Sequence, residues 1–276
     1  MAITGGSAVA LDLLDGSEAL RLHSQFASGV NLACRDHLVY AGTEPHGAAC
    51  ALKVDAADVE VLRSSSSWRW DGRALVAPAR RAVELAPDAV RYPVRPPAVP
   101  GLPAGDPARL ARARSAVGGV SWFDSGLGLE IGLPSLRAAV AALAAGGDIG
   151  PVRAVVGLGI GLTPSGDDAL VGALCVLAAA GEPWSAAGRH LEPWLGGDGR
   201  GRTTDVSASY LRLAVAGAFS TPLGRLVAAL ADGVPDATLI DAVRGLAAIG
   251  ATSGMDAVVG AQVAWEHLVA TTTRRP

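Results

Sequence analysis

The chain has 276 residues, enough for one large domain or two small ones. Half of it is hydrophobic but only 4% is aromatic, so the core must come from Ala, Val and Leu, which lets helices approach closely. A net charge of −3 supplies no broad basic field and argues against nucleic acid as a partner.

Lys53 is the only lysine, so any mechanism that needs one must use it. Cys34, Cys50 and Cys175 are far apart and show no CxxC spacing, which fits structural thiols in a reducing cytosol. Residues 1–14 lack a basic leader, and the longest uncharged apolar run, near 169–181, is too short to cross a bilayer. The expectation is a cytoplasmic protein with no membrane partner.

Residues 1–20 show no pattern. Beyond them Gly29–Ala33, His37–Tyr40 and Ala48–Val54 read as short strands, broken at Arg35-Asp36 and at the Gly42–Gly47 turn that contains Pro45. Asp55–Arg63 is a short helix or a strand edge. Ser67–Trp70 alternates polar and aromatic residues, and Asp71-Gly72 is a hairpin turn leading to Ala74–Ala77.

The stretch 87–107, with Pro78 just upstream, is dense in proline: Pro87, Pro93, Pro96, Pro97, Pro100, Pro103 and Pro107. It is incompatible with a regular helix or a central strand and reads as a partly extended inter-domain connection. Helices follow: from Pro107 to Val117 with Asp106 as N-cap, and from Ser135 to Ala145, stopped by Gly146-Gly147. Others span Ala169–Ala180, Trp184–Trp194, Thr203 or Thr204 to Ala216, Pro222–Asp232, Asp236–Ala248 and about Ser253–Ala270. The predicted class is α+β. A β-rich N-terminal domain, residues 1–105, folds as a small barrel or sandwich, and an all-α domain, residues 106–276, follows with an internal pseudo-repeat.

That pseudo-repeat joins Gly157–Gly172 to Gly245–Gly260. Without gaps, eight of the sixteen positions are identical at an offset of 88, and the shared core is Ser-Gly-x-Asp-Ala-x-Val-Gly. Each copy has the grammar of a helix start, with a hydroxyl for a free backbone N–H and an Asp at the positive end of the dipole. Two capped helices packed glycine to glycine would explain Ser, Asp and Gly. They would not explain Gly157, Gly159, Gly161, Pro164 and Asp167 in the first copy, which point to a backbone that approaches something closely or to a nest of N–H groups.

The first copy is neither a dinucleotide fingerprint nor a P-loop, since no βαβ unit follows it and no Lys-Ser/Thr closes it. Ser165 does not sit in a Gly-x-Ser-x-Gly elbow. What remains is an anion-holding helix start at Ser165–Asp167 with carboxylates beside it. Asp167 and Asp168 then need an offset, either Mg²⁺ between them or arginines from Gly199–Thr204, above all Arg202. A carboxylate can instead accept N–H bonds from an amide or carbamoyl group. His23, His37, His46, His190 and His267 show no ligand spacing, and His23 and His46 are the two to inspect for a pocket. The tryptophans read as core fillers, Trp184 among them. Ser121–Gly128 is a second glycine-bearing loop, either a site wall or a tight turn.

Gly-Leu-Thr-Pro-Ser-Gly-Asp-Asp at 161–168, Arg202-Thr203 before a helix and Ser253-Gly-x-Asp256 resemble the AllH-like proteins, as do His23–Phe26 and Asn31. The resemblance implies one subunit of oxamate carbamoyltransferase, which acts with companion subunits in anaerobic allantoin breakdown and exchanges a carbamoyl group between oxamate and phosphate. It extends to Gly159, Gly161, Thr163, Pro164, Ser165, Gly166, Asp167, Asp168, Arg202, Thr203, Ser253, Gly254 and Asp256. Both oxamate and carbamoyl phosphate carry an anionic end for helix starts and Arg202, and an amide for a carboxylate.

The combined expectation is a carbamoyltransferase-type subunit that binds a small anionic substrate. Asp167, Asp168 and Arg202 act catalytically. Gly159, Gly161, Thr163, Ser165, Gly166, Thr203, Ser253, Gly254 and Asp256 bind the substrate. No cofactor is assigned, although the paired Asp residues admit Mg²⁺, and a homo-oligomer is compatible. The alternatives are a non-catalytic binding or assembly subunit, and a Mg²⁺-dependent phosphoryl-transfer enzyme, against which the lack of a phosphate-binding lysine weighs.

Overall fold

The computed structural model describes residues 2–16, 19–43, 47–78, 82–181, 185–231 and 233–273. Pro45, His46, Trp184 and Asp232, named above, lie outside the described residues. The chain divides into two units, Met1–Val94 and Arg95–Pro276.

The first unit runs β1 (Ala2–Ser7), α1 (Ala8–Asp15), β2 (Leu20–Phe26), β3 (Gly29–Cys34), β4 (His37–Gly42), β5 (Ala51–Val54), α2 (Ala56–Arg63), β6 (Ser67–Trp70), β7 (Ala74–Val76) and β8 (Ala82–Tyr92). The strands close in the order β1-β5-β4-β3-β2-β6-β7-β8, so of barrel and sandwich the structure is a barrel. The Asp71-Gly72 hairpin forms as predicted. Asp71 Oδ1 accepts the N–H groups of Arg73 and Ala74, both at 2.9 Å, and Gly72 takes φ 92°. Trp68 and Trp70 are buried in the barrel as core fillers.

Two features of this unit differ from the expectation. Residues 1–20 hold a strand and a helix that the sequence hides, because Gly5 and Gly6 remove the period-two pattern from β1. Ser7 makes the transition between them. Its Oγ accepts the Ala10 N–H at 3.0 Å, capping α1, and the Ala51 N–H at 3.2 Å, tying the corner to β5. Second, Pro87 lies inside β8, a strand paired on both sides, where the proline density argues against a central strand. The β1–β8 register explains it: the pairing jumps from Ile3↔Leu85 to Gly5↔Val90, so Pro87 sits in a bulge where no ladder N–H is needed.

The second unit is mostly helical, and among its described residues there is no strand. Its helices are α3 (Ala108–Val117), α4 (Leu133–Ala145), α5 (Gly150–Val155), α6 (Ser165–Ala180), α7 (Ser185–Gly196), α8 (Asp205–Val215), α9 (Thr221–Ala229), α10 (Asp236–Ala247) and α11 (Ser253–Thr272). The proline-dense segment is partly packed into this unit. The Val99 N–H donates to Ala179 O at 2.8 Å, Val99 and Leu102 are buried, and the Trp265 indole donates to Leu102 O at 2.7 Å. Asp106 Oδ1 accepts the Ala108 N–H at 3.0 Å, but the N-cap of α3 is Pro107 and carries no side-chain cap bond, so the expected Asp106 cap is displaced by one residue. A π-helical turn, Gly128–Gly132, leads into α4, which ends at left-handed Gly146. The continuous helix Gly128–Ala145 is the one stretch among the described residues long and apolar enough to cross a membrane, with a mean hydropathy of 1.3 and a third of it buried.

The centre of the unit is the crossing of α6 and α11. α6 is buried along most of its length, as is α11 from Gly254 to Trp265. Gly172 of α6 faces the carbonyl of Ala257, and Gly260 of α11 faces the carbonyl of Ala169. The contact is reciprocal, and backbone meets backbone at positions that correspond in the two aligned segments. Each helix begins at this crossing, which brings the two Ser-Gly-x-Asp starts together.

Candidate functional site

The loop between α5 and α6 is shaped by three left-handed glycines. Gly157, Gly159 and Gly161 have φ of 79°, 102° and 101°, so their alternation is a backbone requirement that a plain cap would not impose. A Cβ on Gly157 would also stand 2.0 Å from the Arg202 carbonyl oxygen. The loop therefore folds back over the start of α6 and touches the Gly199–Thr204 loop.

This fold-back uses amides that the sequence had assigned to an anion. The Gly166 N–H donates to Leu158 O at 2.8 Å, and the Asp167 N–H donates to Pro164 O at 2.9 Å. Gly166 itself lies against Val155 O, where a Cβ would be 2.2 Å away, so its small size serves packing. Ser165 is buried at the first position of α6. Gly254 plays the corresponding packing part in α11, against Leu246 O.

Asp167 is 1% exposed, and both its oxygens are occupied. Oδ1 accepts the Gly157 N–H at 2.9 Å, and Oδ2 accepts the Thr203 hydroxyl. Burial raises its carboxyl above the usual range, while bonds from Thr203, Gly157 and Ser207 pull the other way. Asp167 thus ties the glycine loop to the start of α8. Thr204 completes the tie: its Oγ1 donates to Leu162 O and accepts the Ser207 N–H, capping α8.

Asp168 is placed differently. It keeps an exposed edge, yet its Oδ2 is buried without a hydrogen-bond partner. Burial drives its carboxyl well above the ordinary range. The neighbouring Ser253 and Thr163 hydroxyls moderate the rise, and the charges of Asp256 and Asp167 add to it. Thr163 and Ser253 also bond to each other at 2.8 Å, joining the glycine loop to the first residue of α11.

Asp256, the counterpart of Asp168 in the second Ser-Gly-x-Asp start, is fully buried. Its Oδ1 accepts the Ser121 hydroxyl at 2.6 Å and the Trp122 N–H at 2.9 Å, and its Oδ2 is buried without a partner. The Ser121–Gly128 segment is therefore a wall of the same site. Ser121 caps the short helix Trp122–Asp124 through a capping box with Asp124. That Ser-x-x-Asp spacing is visible in the sequence, but the bond to Asp256, 135 residues away, is not.

Arg202 is exposed, and its guanidinium has no hydrogen bond or ion pair among the described residues. Its backbone is fixed against Gly157. Arg200 is exposed on the same loop. The structure thus gathers Thr163, Asp168, Ser253 and Asp256 at one junction, sets Asp167 and Thr203 behind it as a brace, and leaves Arg202 on the adjoining loop.

The remaining candidates lie elsewhere. His23 is exposed on β2 of the barrel, beside the Ser24 hydroxyl at 3.2 Å, and His190 is exposed on α7. Lys53 is exposed on β5. All three cysteines are buried thiols outside any disulfide, and burial pushes the Cys50 thiol up to about 12. Among the described residues no group of three or more His, Cys, Asp or Glu side chains is arranged to hold a metal ion.

Residues 155–265 match the family model described as oxamate carbamoyltransferase subunit AllH. No solved structure matches the chain. The matched segment runs from the end of α5 to Trp265 of α11 and contains every residue of the junction except those of the Ser121 wall. Over that segment, less than half of the chain, the sequence is similar to the AllH family, whose description names a subunit of oxamate carbamoyltransferase.

Proposed function

We propose that the protein is a subunit of a carbamoyltransferase-type enzyme and holds a small substrate with an amide end and an anionic end, oxamate or carbamoyl phosphate, where α6 and α11 begin. The observation that carries this reading is Asp168 Oδ2, a buried carboxyl oxygen without a partner beside the Thr163–Ser253 hydroxyl pair. Buried polar atoms are nearly always bonded, so an orphan at a junction of hydroxyls and acids is a place for a ligand. Asp168 accepts an amide N–H, the Thr163–Ser253 hydroxyl pair orients its carboxyl, and Arg202 pairs with the anionic end. Asp167 holds the loop in shape and does not touch the substrate. Transfer of this kind depends on positioning and on stabilising charge that develops on oxygen, and needs no lysine nucleophile. The two Ser-Gly-x-Asp starts act as a degenerate pair, and companion subunits complete the reaction centre. The family match supports the reaction class.

The test compares Asp168→Asn and Arg202→Ala with the parent chain, by calorimetry with oxamate and by carbamoyl transfer with and without companion subunits. Each variant is expected to lose about tenfold or more in affinity with its helical circular dichroism unchanged. Parent-like binding by both variants would remove this site assignment.

A second reading is a non-catalytic assembly subunit. It is favoured by exposed apolar side chains around the junction: Ile160 is 84% exposed and Leu162 50% on the glycine loop, and Leu127 and Ile131 are exposed beside the Ser121 wall. On that reading the chain binds a companion subunit but not oxamate, and Ile160→Asp breaks the complex.

A further inference from the structure

The α6–α11 junction carries two orphaned acceptors, not one. Asp168 Oδ2 and Asp256 Oδ2 are both buried and both without a hydrogen-bond partner. They come from corresponding positions of the two helix starts. Gly172, one turn beyond Asp168, rests on the carbonyl of Ala257, and Gly260, one turn beyond Asp256, rests on the carbonyl of Ala169. Both carboxyls therefore lie on the faces where the helices touch. Asp256 is close enough for its charge to act on Asp168. The other oxygen of Asp256 is fixed by the Ser121 hydroxyl and the Trp122 N–H, so the free one is held in a defined direction. Beside Asp168 stand the hydroxyls of Thr163 and Ser253, bonded to each other at 2.8 Å.

Leaving two neighbouring acceptors unmatched inside a protein is unfavourable unless a ligand supplies the donors. A metal ion does not fit the set, since among the described residues no third acidic, His or Cys ligand is arranged around the pair. An anion does not fit it either. The chemistry that matches two acceptors is a group with two divergent N–H bonds.

We propose that Asp168 and Asp256 together select an unsubstituted primary amide, each accepting one of the two N–H bonds of the carbamoyl –NH2 group. The inference rests on the carbamoyl-binding reading above and adds the second acceptor and the rule of selection. An N-methylated amide has lost one N–H and brings a methyl group against a buried carboxyl. An ester has lost both donors. No covalent step is involved in the selection itself.

The full chain is titrated calorimetrically with oxamate and with N-methyloxamate, alongside Asp256→Asn. In the variant the amide oxygen still accepts from Ser121 and Trp122, but an –NH2 donor replaces the free acceptor, so the fold is kept and the site is inverted. The expected result is roughly tenfold or greater preference for oxamate over N-methyloxamate in the parent chain, the value of one hydrogen bond to a charged group. Asp256→Asn is expected to lower oxamate affinity by a similar factor and to collapse the preference. If N-methyloxamate binds as tightly as oxamate while oxamate binding still depends on Asp168 and Arg202, the selection rule is overturned and the function stands. If oxamate does not bind the parent chain at all, the function reading fails and this inference with it.

Discussion

Gly260 sits against the carbonyl oxygen of Ala169 so closely that a Cβ would stand 1.8 Å from it, and the reciprocal contact of Gly172 with Ala257 leaves 2.0 Å. Neither atom on the far side is a side-chain end that can swing away. Gly260→Ala and Gly172→Ala must therefore push the two helices apart, with a loss of about 3 kcal/mol or more each. Gly245, inside α10 with open space around it, is the control: Gly245→Ala should stabilise by about 0.5–1 kcal/mol. Urea unfolding of the three variants gives the comparison. A Gly260→Ala chain as stable as the parent would show that the helices can separate without loss.

Asp168 links the site to stability. Its carboxyl is raised by burial, so the folded chain keeps this proton at pH values where the unfolded chain has lost it. Its contribution is then fully present below the ordinary Asp range and is lost as pH rises through the raised value. Asp168→Asn removes that titration. The variant should be more stable than the parent near neutral pH and show a flatter dependence of urea midpoint on pH from about 4 to 8. Oxamate binding should fall in the same variant. A gain in stability with a loss in binding is the mark of a group kept for its ligand; parallel pH slopes would show that Asp168 does not titrate as described.

The sequence showed the loop and the helix starts because both are local. Gly157, Gly159 and Gly161 announce a backbone that only glycine adopts, and all three have positive φ. Thr204 caps α8 as helix-end grammar predicts, and Asp167, Asp168 and Asp256 fall in first turns. The N-caps of α6 and α11 are Pro164 and Thr252, neither with a side-chain cap bond, so Ser165 and Ser253 are not the expected caps. What the sequence does not separate is the work of Asp167 from that of Asp168. Adjacent residues on a helix point about 100° apart, and only the fold reveals that one faces Gly157 and Thr203 while the other faces Thr163 and Ser253. Of the free N–H groups expected at Ser165–Asp167, two are taken for a related reason: the loop that carries the glycines returns the carbonyls of Leu158 and Pro164 to the amides of Gly166 and Asp167. In the barrel, β1 and β8 escaped because glycine and proline break the patterns by which strands are recognised, yet both are tolerated at a bulge.

Asp167 should therefore respond to substitution as a brace. Asp167→Asn can keep the Gly157 N–H on its carbonyl oxygen and offer its –NH2 to the Thr203 hydroxyl, so stability should change by less than about 1 kcal/mol. Asp167→Ala leaves the Gly157 amide and the Thr203 hydroxyl unmatched and should lose about 2 kcal/mol or more. Hydrogen exchange at 157–164 locates the effect: faster exchange confined to the glycine loop and the start of α8 in the Ala variant. Equal exchange in both variants would mean the loop is held without Asp167.

Ligand binding should move a proton. An amide N–H favours the ionised form of the carboxyl that accepts it, and Asp168 in the empty protein holds its proton above the usual carboxylate range. Oxamate binding then expels that proton, so affinity rises with pH up to the raised value and levels off beyond it. Calorimetric titration in buffers of different ionisation enthalpy measures the release directly, with up to about one proton per oxamate expected on the acid side. The other groups facing Asp168 are Asp167, Asp256 and the Thr163 and Ser253 hydroxyls. Asp167 keeps its own bonds in both states, so the release should survive Asp167→Asn and vanish in Asp168→Asn. Proton uptake in place of release would mean that the ligand presents an acceptor to Asp168, which would place the substrate's oxygen, and not its amide, at this junction.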